Sequence, residues 1–400
     1  MDERPAIHLT RLVQLPDEVR VERIRHVPEL GPRILFFSGG TALKDLSREI
    51  IRYTHNSIHL ITPFDSGGSS AVIREEFKML AVGDIRNRLM ALADQTIRGN
   101  PDIYRLFAYR FPKSQDQGTL EKRLRDMIDG KDPLIAAVED PLRKIIRNHL
   151  GYFAEAMSDE FDLRGASIGN LILTGGFLNN SRHIDPVIFL FTKLVETRGT
   201  VRPIVNADLH LGAELRDGSI VLGQHRLSGK DAPPVSSPVK NLFINRSLHD
   251  HDPVDLEIRE KTRQLIASAD LICFPVGSFY SSLIANLLPK GVGKAVAKNP
   301  APKIYIPNCG TDPEQAGLNV DESVDVLLHY LRQSAGRDVQ TGDLLNFVIL
   351  DTRRGEYAKL LNRENIRAKG IEIIDVDLIS AREATQLDPE KLAKVLLSLC

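Results

Sequence analysis

The residues best suited to chemistry lie in the stretch Pro63-Phe64-Asp65-Ser66-Gly67-Gly68-Ser69-Ser70. It follows the apolar run "SIHLIT" and precedes "AVIREEFKML", so one carboxylate, two glycines and three hydroxyls stand where a buried strand would hand over to a helix. An ordinary turn needs fewer such residues. Glycine lets a backbone approach a ligand closely, and the first amides of the following helix have no partner within it. Anionic oxygens, phosphates above all, are the natural guests of such a junction. The same grammar recurs in "ILFFSGGTALKDL" with Gly39, Gly40 and Thr41, in "FDLRGASIGNLIL", and in "DLICFPVGSFYSSLIANLL" with Gly277 and Ser278. Four junctions along one sheet edge would suit a diphosphate better than a single carboxylate.

Asp65 is the carboxylate best placed by this logic. It could hold Mg²⁺ against phosphate oxygens, accept a proton from an attacking hydroxyl, or cap its own loop in an Asx-turn. In "AVGDIRNRLMALAD", Asp84 could cap the helix that follows, and Arg86 could fork onto a phosphate or onto a carboxylate, with Asn87 beside it. Asn170, a polar residue inside "IGNLIL", must hydrogen-bond a neighbouring strand or a ligand. In "NADLHLGAEL" the alternation would put Asn206, Asp208 and His210 on one strand face, either solvated or holding a metal, with Glu214 further on. Two chemistries lack their signature: there is no GxxxxGK[ST] loop and no GxGxxG fingerprint.

The elements that must position these residues alternate. Apolar runs "RILFFSG", "SIHLITPF", "DLICFPVGS", "KIYIPN" and "NFVILDT" are separated by helical spacings such as "TALKDLSREIIRYT" and "VDLEIREKTRQLIASA". This rhythm predicts an α/β fold, a Rossmann-like three-layer arrangement around a mostly parallel sheet. Residues 1–32 form an N-terminal extension before the α/β domain of residues 33–400. Residues 95–163 alternate apolar and charged residues at helical spacing, and are expected to be a helical insertion covering the core or acting as a lid. Asp217-Gly218 marks a hairpin turn between "NADLHLGAEL" and "SIVLGQHRL".

Composition narrows the partners. Of 400 residues, 52 are Lys or Arg and 53 Asp or Glu, so no general basic field exists for nucleic acid or an anionic membrane. Aromatic residues are 6% and tryptophan is absent, which leaves little for base stacking. Three cysteines without a CxxC pair fit a reducing cytosol, and no run approaches a membrane span, so a cytoplasmic protein is expected.

At these residues the sequence resembles the CofD-like proteins. "SGGTAL" and "FDSGGSS" are similar to the family's first and second glycine loops, "GDIRNRLMALAD" to its GDIRN segment, and "YRLFAYRF" with "GASIGNLIL" to its YRF…GN stretch. "ADLICFPVGSFYSSLIANLL" looks like its GPGSLYTS…NLL element, and "LGAELRDGSIVLGQHRLS" and "KIYIPN" follow in the expected order, the match running from about residue 33 to about 378. The chain departs from the pattern at Ala42 for a loop glycine, at Ser66 for the second aspartate of the second loop, and at Pro275-Val276 before Gly277.

The resemblance implies a Mg²⁺-dependent transferase that binds a nucleoside diphosphate derivative and passes a phosphoryl-linked group to an alcohol, as in 2-phospho-L-lactate transfer. The family's YvcK-like branch implies the alternative, a non-catalytic regulator of carbon or cell-wall metabolism that binds a nucleotide sugar. The long helical segment looks like a third branch, grouped with an ATP-grasp protein and a kinase resembling HPr kinase, which would then be partners. Ligand contacts are expected from Gly39, Gly40, Thr41, Ser66, Gly67, Gly68, Ser69, Ser70, Asp84, Arg86, Asn87, Asn170, Gly277 and Ser278, with Asp65 catalytic and metal-binding. A homo-oligomer is the expected assembly, the helical segment offering a contact surface.

Overall fold

The computed structural model describes residues 12–400 apart from 97, 98, 230–234, 236, 311, 316, 337, 358–360, 382 and 384. All five side chains of β1 (Ile34–Ser38) are buried. Alternation sends Ile34 and Phe36 into one apolar core, and Leu35 and Phe37 into another on the opposite face. A strand buried on both faces belongs in the middle of a parallel sheet, which is where β1 sits.

Six further strands complete that sheet: β2 (Ile58–Ile61), β3 (Thr200–Pro203), β7 (Leu271–Phe274), β8 (Lys303–Tyr305), β9 (Phe347–Leu350) and β10 (Glu372–Asp375). Their order is β10-β9-β8-β7-β1-β2-β3, and every neighbouring pair is parallel. The chain runs outward from β1 through β2 to β3, then returns to the other side of β1 as β7. The order therefore reverses at β1, and the loops leaving β1, β2 and β7 share one edge. In an open α/β sheet that reversal opens a crevice for ligands.

A second, antiparallel sheet of order β5-β4-β6 consists of β4 (His210–Leu215), β5 (Ile220–Leu222) and β6 (Val239–Asn245). Gly218, at φ +87°, turns the β4–β5 hairpin at the Asp217-Gly218 pair. Leu211, Ala213, Leu242 and Ile244 of this sheet pack into the core that also holds Leu35 and Phe37.

The connection from β2 to β3 is helical from Gly68–Phe77 and Gly83–Ala91 through to Ile168–Asn179 and Ile184–Leu194, with Pro101–Ala108, Gln117–Asp129 and Leu142–Ala156 between them. These helices cover the face holding Ile34 and Phe36. Helices Leu142–Ala156 and Ile168–Asn179 approach so closely that a Cβ at Gly175 would lie 1.8 Å from the His149 carbonyl oxygen, which accounts for the glycine pair in "LTGGF". At the N-terminal side, helix Glu18–His26 docks on the C-terminal helix Pro389–Ser398, with the Asp17 amide donating to Ser398 Oγ at 2.8 Å.

Three details differ from the sequence reading. "TVRPIVNADLHLGAEL" is not one β run: β3 closes an edge of the parallel sheet while β4 begins the antiparallel one. β10, whose half-exposed "EIID" lacks a strong apolar signal, is an additional edge strand. "FDLRGASIGNLIL" contains no strand; it turns through residues 161–167 directly into a helix. Among the described residues, no helix is long and apolar enough to cross a membrane.

Candidate functional site

A cavity of about 650 Å³ opens at the shared edge where β1, β2 and β7 end. Gly39, Gly40, Thr41 and Ala42 line it from the β1 loop, and Asp65, Gly67, Gly68, Ser69 and Ser70 from the β2 loop. Asp84, Arg86 and Asn87 enter from the next helix, Asn170 from helix Ile168–Asn179, and Gly277 and Ser278 from the β7 loop. The candidate residues thus converge, with one exception. Ser66 is buried beneath the loop, where its Oγ bonds His225 Nδ1 at 2.8 Å and accepts from the His225 amide at 3.3 Å. Ser66 positions a histidine rather than a ligand, and it is His225 that lines the cavity.

Three helices start at the cavity without any side-chain cap: Gly68–Phe77, Gly83–Ala91 and Ile168–Asn179. Serines, an aspartate and an asparagine stand nearby, yet none caps these ends through its side chain, although the Ile168 amide is met by the Tyr109 carbonyl at 3.0 Å. Converging helix N-termini present amides and the positive ends of their dipoles to an anion. Glycines permit the close approach. Gly68 sits at φ +47° with open space where a Cβ would be, and a Cβ at Gly83 would lie 2.6 Å from Ser70 Oγ. Gly169, preceding Asn170, lets Arg86 lie across its helix start, since a Cβ there would meet Arg86 Cδ at 2.8 Å.

The loops are held from behind. Arg74, almost fully buried, donates to the carbonyls of Phe64 (3.3 Å), Asp65 (3.1 Å) and Leu209 (2.6 Å), and pairs with Asp208 at 2.8 Å. Arg88, also buried, donates to the carbonyls of Leu43 (2.9 Å) and Gly39 (3.2 Å) and to Ser47. Asp84 Oδ2 accepts the Gly40 amide at 2.8 Å, so Asp84 orders the first loop rather than capping its own helix. Asp65 Oδ1 accepts the Gly67 amide at 3.1 Å, the Asx-turn alternative, while the residue still faces the cavity.

Four cations, Arg86, Arg110, Lys113 and Arg164, share the walls with the carboxylates Asp65, Asp84 and Asp162. Arg86 bonds Ser167 Oγ and Asn87 Oδ1, and burial, with Arg110 nearby, pushes its pKa down to about 10. Among the described residues Arg86, Arg110 and Lys113 make no ion pair, whereas Arg164 is tied to Asp162 at 2.9 Å. Arg110 reaches Ser69 Oγ at 3.2 Å and the Gly165 carbonyl at 2.5 Å. A guanidinium held beside polar groups without a counter-charge is poised for an anion. Asn170 is 1% exposed and its Oδ1 has no hydrogen-bond partner, so its need for a partner points at the cavity it lines.

Two expectations are corrected. The β7 loop leads into a short π-helix, Phe279–Leu283, whose amides are already taken: Phe279 donates to Asp312 at 2.9 Å, and Tyr280 and Ser281 to Glu314 at 2.8 and 2.7 Å. The Gly277 amide is bound by Asn308 Oδ1 at 2.8 Å. Gly277 and Ser278 therefore shape the wall, but this junction offers no set of open helix amides. Burial, reinforced by Asp312, pushes the Glu314 carboxyl up to about 7, against the pull of the Ser281 and Tyr280 donors. The "NADLHLGAEL" residues do not share the expected strand face. Asn206 and Asp208 precede β4, Asn206 donates to Asp185 at 3.1 Å, and Asp208 is paired with Arg74. Burial and the Arg74 charge depress the His210 pKa to about 4, and Glu214 bridges to Lys240 at 2.6 Å.

His225, Gln224, Arg110, Lys113 and Ser282 also line the cavity, beyond the residues that the sequence motifs mark. Their signals were present: "YRF" and "GQH" are polar interruptions at element ends, though nothing local says which edge they join. Among the described residues no three His, Cys, Asp or Glu side chains cluster to hold a metal. Asp65 in a cavity suited to phosphates fits the sharing of Mg²⁺ between one carboxylate, ligand oxygens and water.

Comparison with known proteins bears on the same segments. The sequence model of the family described as 2-phospho-L-lactate transferase CofD matches residues 34–389. A putative gluconeogenesis factor of Thermoanaerobacterium thermosulfurigenes is 28% identical over 375 residues, covering 92% of this chain and 97% of the relative. The gluconeogenesis factor of Bacillus subtilis (strain 168) is 28% identical over 376 residues, covering 92% and 98%. The crystal structure of a UPF0052 family protein from Bacillus halodurans superposes with a TM-score of 0.65 at 21% identity, covering 92% of this chain and 99% of that one, a likeness of fold. With nearly its whole α/β body matched, and with the glycine loops, GDIRN helix and GN helix gathered at one cavity, the chain belongs to the CofD family.

Proposed function

We propose that the cavity binds a nucleoside diphosphate derivative and that the protein transfers its phosphoryl-linked group to an alcohol. The observation that carries this reading is the convergence on one cavity of three helix starts without side-chain caps and the cations Arg86, Arg110 and Lys113, which make no ion pair among the described residues. That arrangement neutralises several negative charges at once, as a diphosphate requires, and a lone carboxylate would leave most of it unused.

In such a transfer the acceptor hydroxyl oxygen bonds to phosphorus, the phosphoanhydride bond breaks, and a nucleoside monophosphate leaves with the electron pair. Charge neutralisation by amides and guanidinium groups does most of the work. The hydroxyl proton goes to a base on the wall. Asp65 is the first candidate, and His225, oriented by Ser66, is the second. Mg²⁺, held by Asp65 and ligand oxygens, would supply further neutralisation of the phosphates.

A second reading has its own support. Ser66 stands where the family pattern carries a second aspartate, and the relatives from Thermoanaerobacterium and Bacillus subtilis are called gluconeogenesis factors. On this reading the same cavity binds a nucleotide sugar without turning it over. Calorimetric titration with a panel of nucleoside diphosphates and nucleotide sugars, with and without Mg²⁺, separates the two. Mg²⁺-dependent release of nucleoside monophosphate, lost in Asp65→Asn while binding persists, is the expected result. Tight binding with no turnover would replace it with the regulatory reading, and absence of any binding would overturn both.

A further inference from the structure

A smaller cavity of about 190 Å³ lies behind the first glycine loop, sharing Gly40, Thr41, Arg86 and Asn87 with the main one. Its remaining walls bring Lys44, Arg48, Arg88 and Tyr104. Four cationic side chains, Arg86 included, thus meet in a space lined by no carboxylate among the described residues. Arg88 is 2% exposed, its Nε has no hydrogen-bond partner, and all its other partners are neutral: carbonyls and serine hydroxyls. Burial pushes its pKa down to about 10, opposed only by the charge of Asp84. Arg48 Nε is likewise buried and unpartnered, and its guanidinium meets Tyr104 Oη at 3.4 Å and only the exposed Asp45 at 3.7 Å. Among the described residues Lys44 makes no ion pair.

A buried guanidinium such as that of Arg88, with no carboxylate in contact, is costly, and that cost is recovered when an anion enters beside it, where the half-exposed Arg48 and the exposed Lys44 complete the wall. We infer that this annex binds a small oxyanion, a phosphate or carboxylate group, separately from the nucleotide. The volume admits one such group and little more, and the Arg-Lys-Tyr set donates hydrogen bonds to oxygens from several directions. Because Gly40, Thr41, Arg86 and Asn87 form a common wall, a group held in the annex lies beside the contents of the main cavity. The oxyanion is then either free inorganic phosphate or the anionic end of a second, alcohol-bearing reactant. The latter source rests on the transfer reading above; the site itself does not.

The test titrates inorganic phosphate into the full-length protein, alone and saturated with the tightest nucleotide found, comparing wild type with the double variant Lys44→Gln/Arg48→Gln. Arg88 is left intact because it holds the first loop. Phosphate should still bind the nucleotide-loaded wild type, and the double variant should weaken that binding by at least about tenfold with an unchanged denaturation midpoint. Displacement of the phosphate by sn-glycerol 3-phosphate identifies a reactant's anionic group; failure of displacement identifies the free ion. Phosphate fully excluded by nucleotide, or bound equally by the double variant, overturns the annex. If no nucleotide binds, the transfer reading fails, and the loss of one phosphate equivalent from the nucleotide-free double variant still decides.

Discussion

Replacing Asn170 by leucine should separate a ligand-seeking amide from a structural one. The side chain, on the third residue of helix Ile168–Asn179, is 1% exposed, and its Oδ1 is buried with no partner among the described residues. A buried polar group left unpaired costs about 1–3 kcal/mol. Leucine has similar volume, a better helix propensity and no such need. The Asn170→Leu protein should therefore be as stable as wild type or more so, by up to about 2 kcal/mol, read as a higher urea midpoint. Nucleotide binding should move the other way. A ligand oxygen or nitrogen deprived of its partner inside a water-poor pocket loses about 1–3 kcal/mol, which is about 5- to 150-fold in Kd. Calorimetry on the same preparation supplies the second number. A variant that is destabilised and binds nucleotide normally would show that Asn170 serves the fold, and the assignment of this residue to the site would be withdrawn.

Two further outcomes follow from the groups behind the site. Arg74→Met removes the donor that fastens Phe64, Asp65 and Leu209 carbonyls and strands Asp208; the expected loss is about 3 kcal/mol in urea unfolding, at the low end for a broken buried pair because Asp208 keeps contact with solvent. Weakened nucleotide affinity should accompany it, and an unchanged midpoint would refute the bracing role. Glu314 holds its proton in the folded state up to about pH 7, whereas in the unfolded chain it ionises near 4.5. Between those values the folded protein binds more protons than the unfolded one, so this carboxyl makes stability fall as pH rises, by about 3 kcal/mol in all. Glu314→Gln, which keeps an acceptor for the Tyr280 and Ser281 amides, should flatten stability between about pH 4.5 and 7, and an identical slope in the variant would refute the assignment.

The parallel sheet was legible because its strands are buried on both faces and read as unbroken apolar runs. β1, β2, β7, β8 and β9 all carry that signal, and the hairpin at Asp217-Gly218 carries its own turn chemistry. The elements that escaped are those whose signal is set by neighbours. β10 is an edge strand with half-exposed residues, and β3 has an exposed first residue and a proline at its last position, which suits an edge. The segment before Asn170 looked like a strand because its helix is buried all round, and an apolar run that short has no periodicity to betray its form.

The site was legible to the same extent and for a related reason. Small residues at strand ends mark where a ligand can approach, and those positions did gather at the reversal of strand order. Local sequence cannot tell whether the amides at such an end are still available. The β7 loop has the right composition, yet Asp312 and Glu314, more than thirty residues downstream, occupy its donors. Gly40 lies in a glycine pair, yet its amide belongs to Asp84, 44 residues away. The same long-range pairing explains Ser66: in the loop it looks like a ligand hydroxyl, and only the fold brings His225 beneath it. What remains after these internal claims are met is the trio of helix starts at Gly68, Gly83 and Ile168, none of them capped by a side chain although the Ile168 amide itself donates to the Tyr109 carbonyl. They are flanked by Arg86 and Arg110, which make no ion pair among the described residues. A fold that caps its own β7 junction with two carboxylates could have capped these as well. It leaves them to an anion from outside, and the cost of that choice in the free protein is the strongest physical reason to expect one.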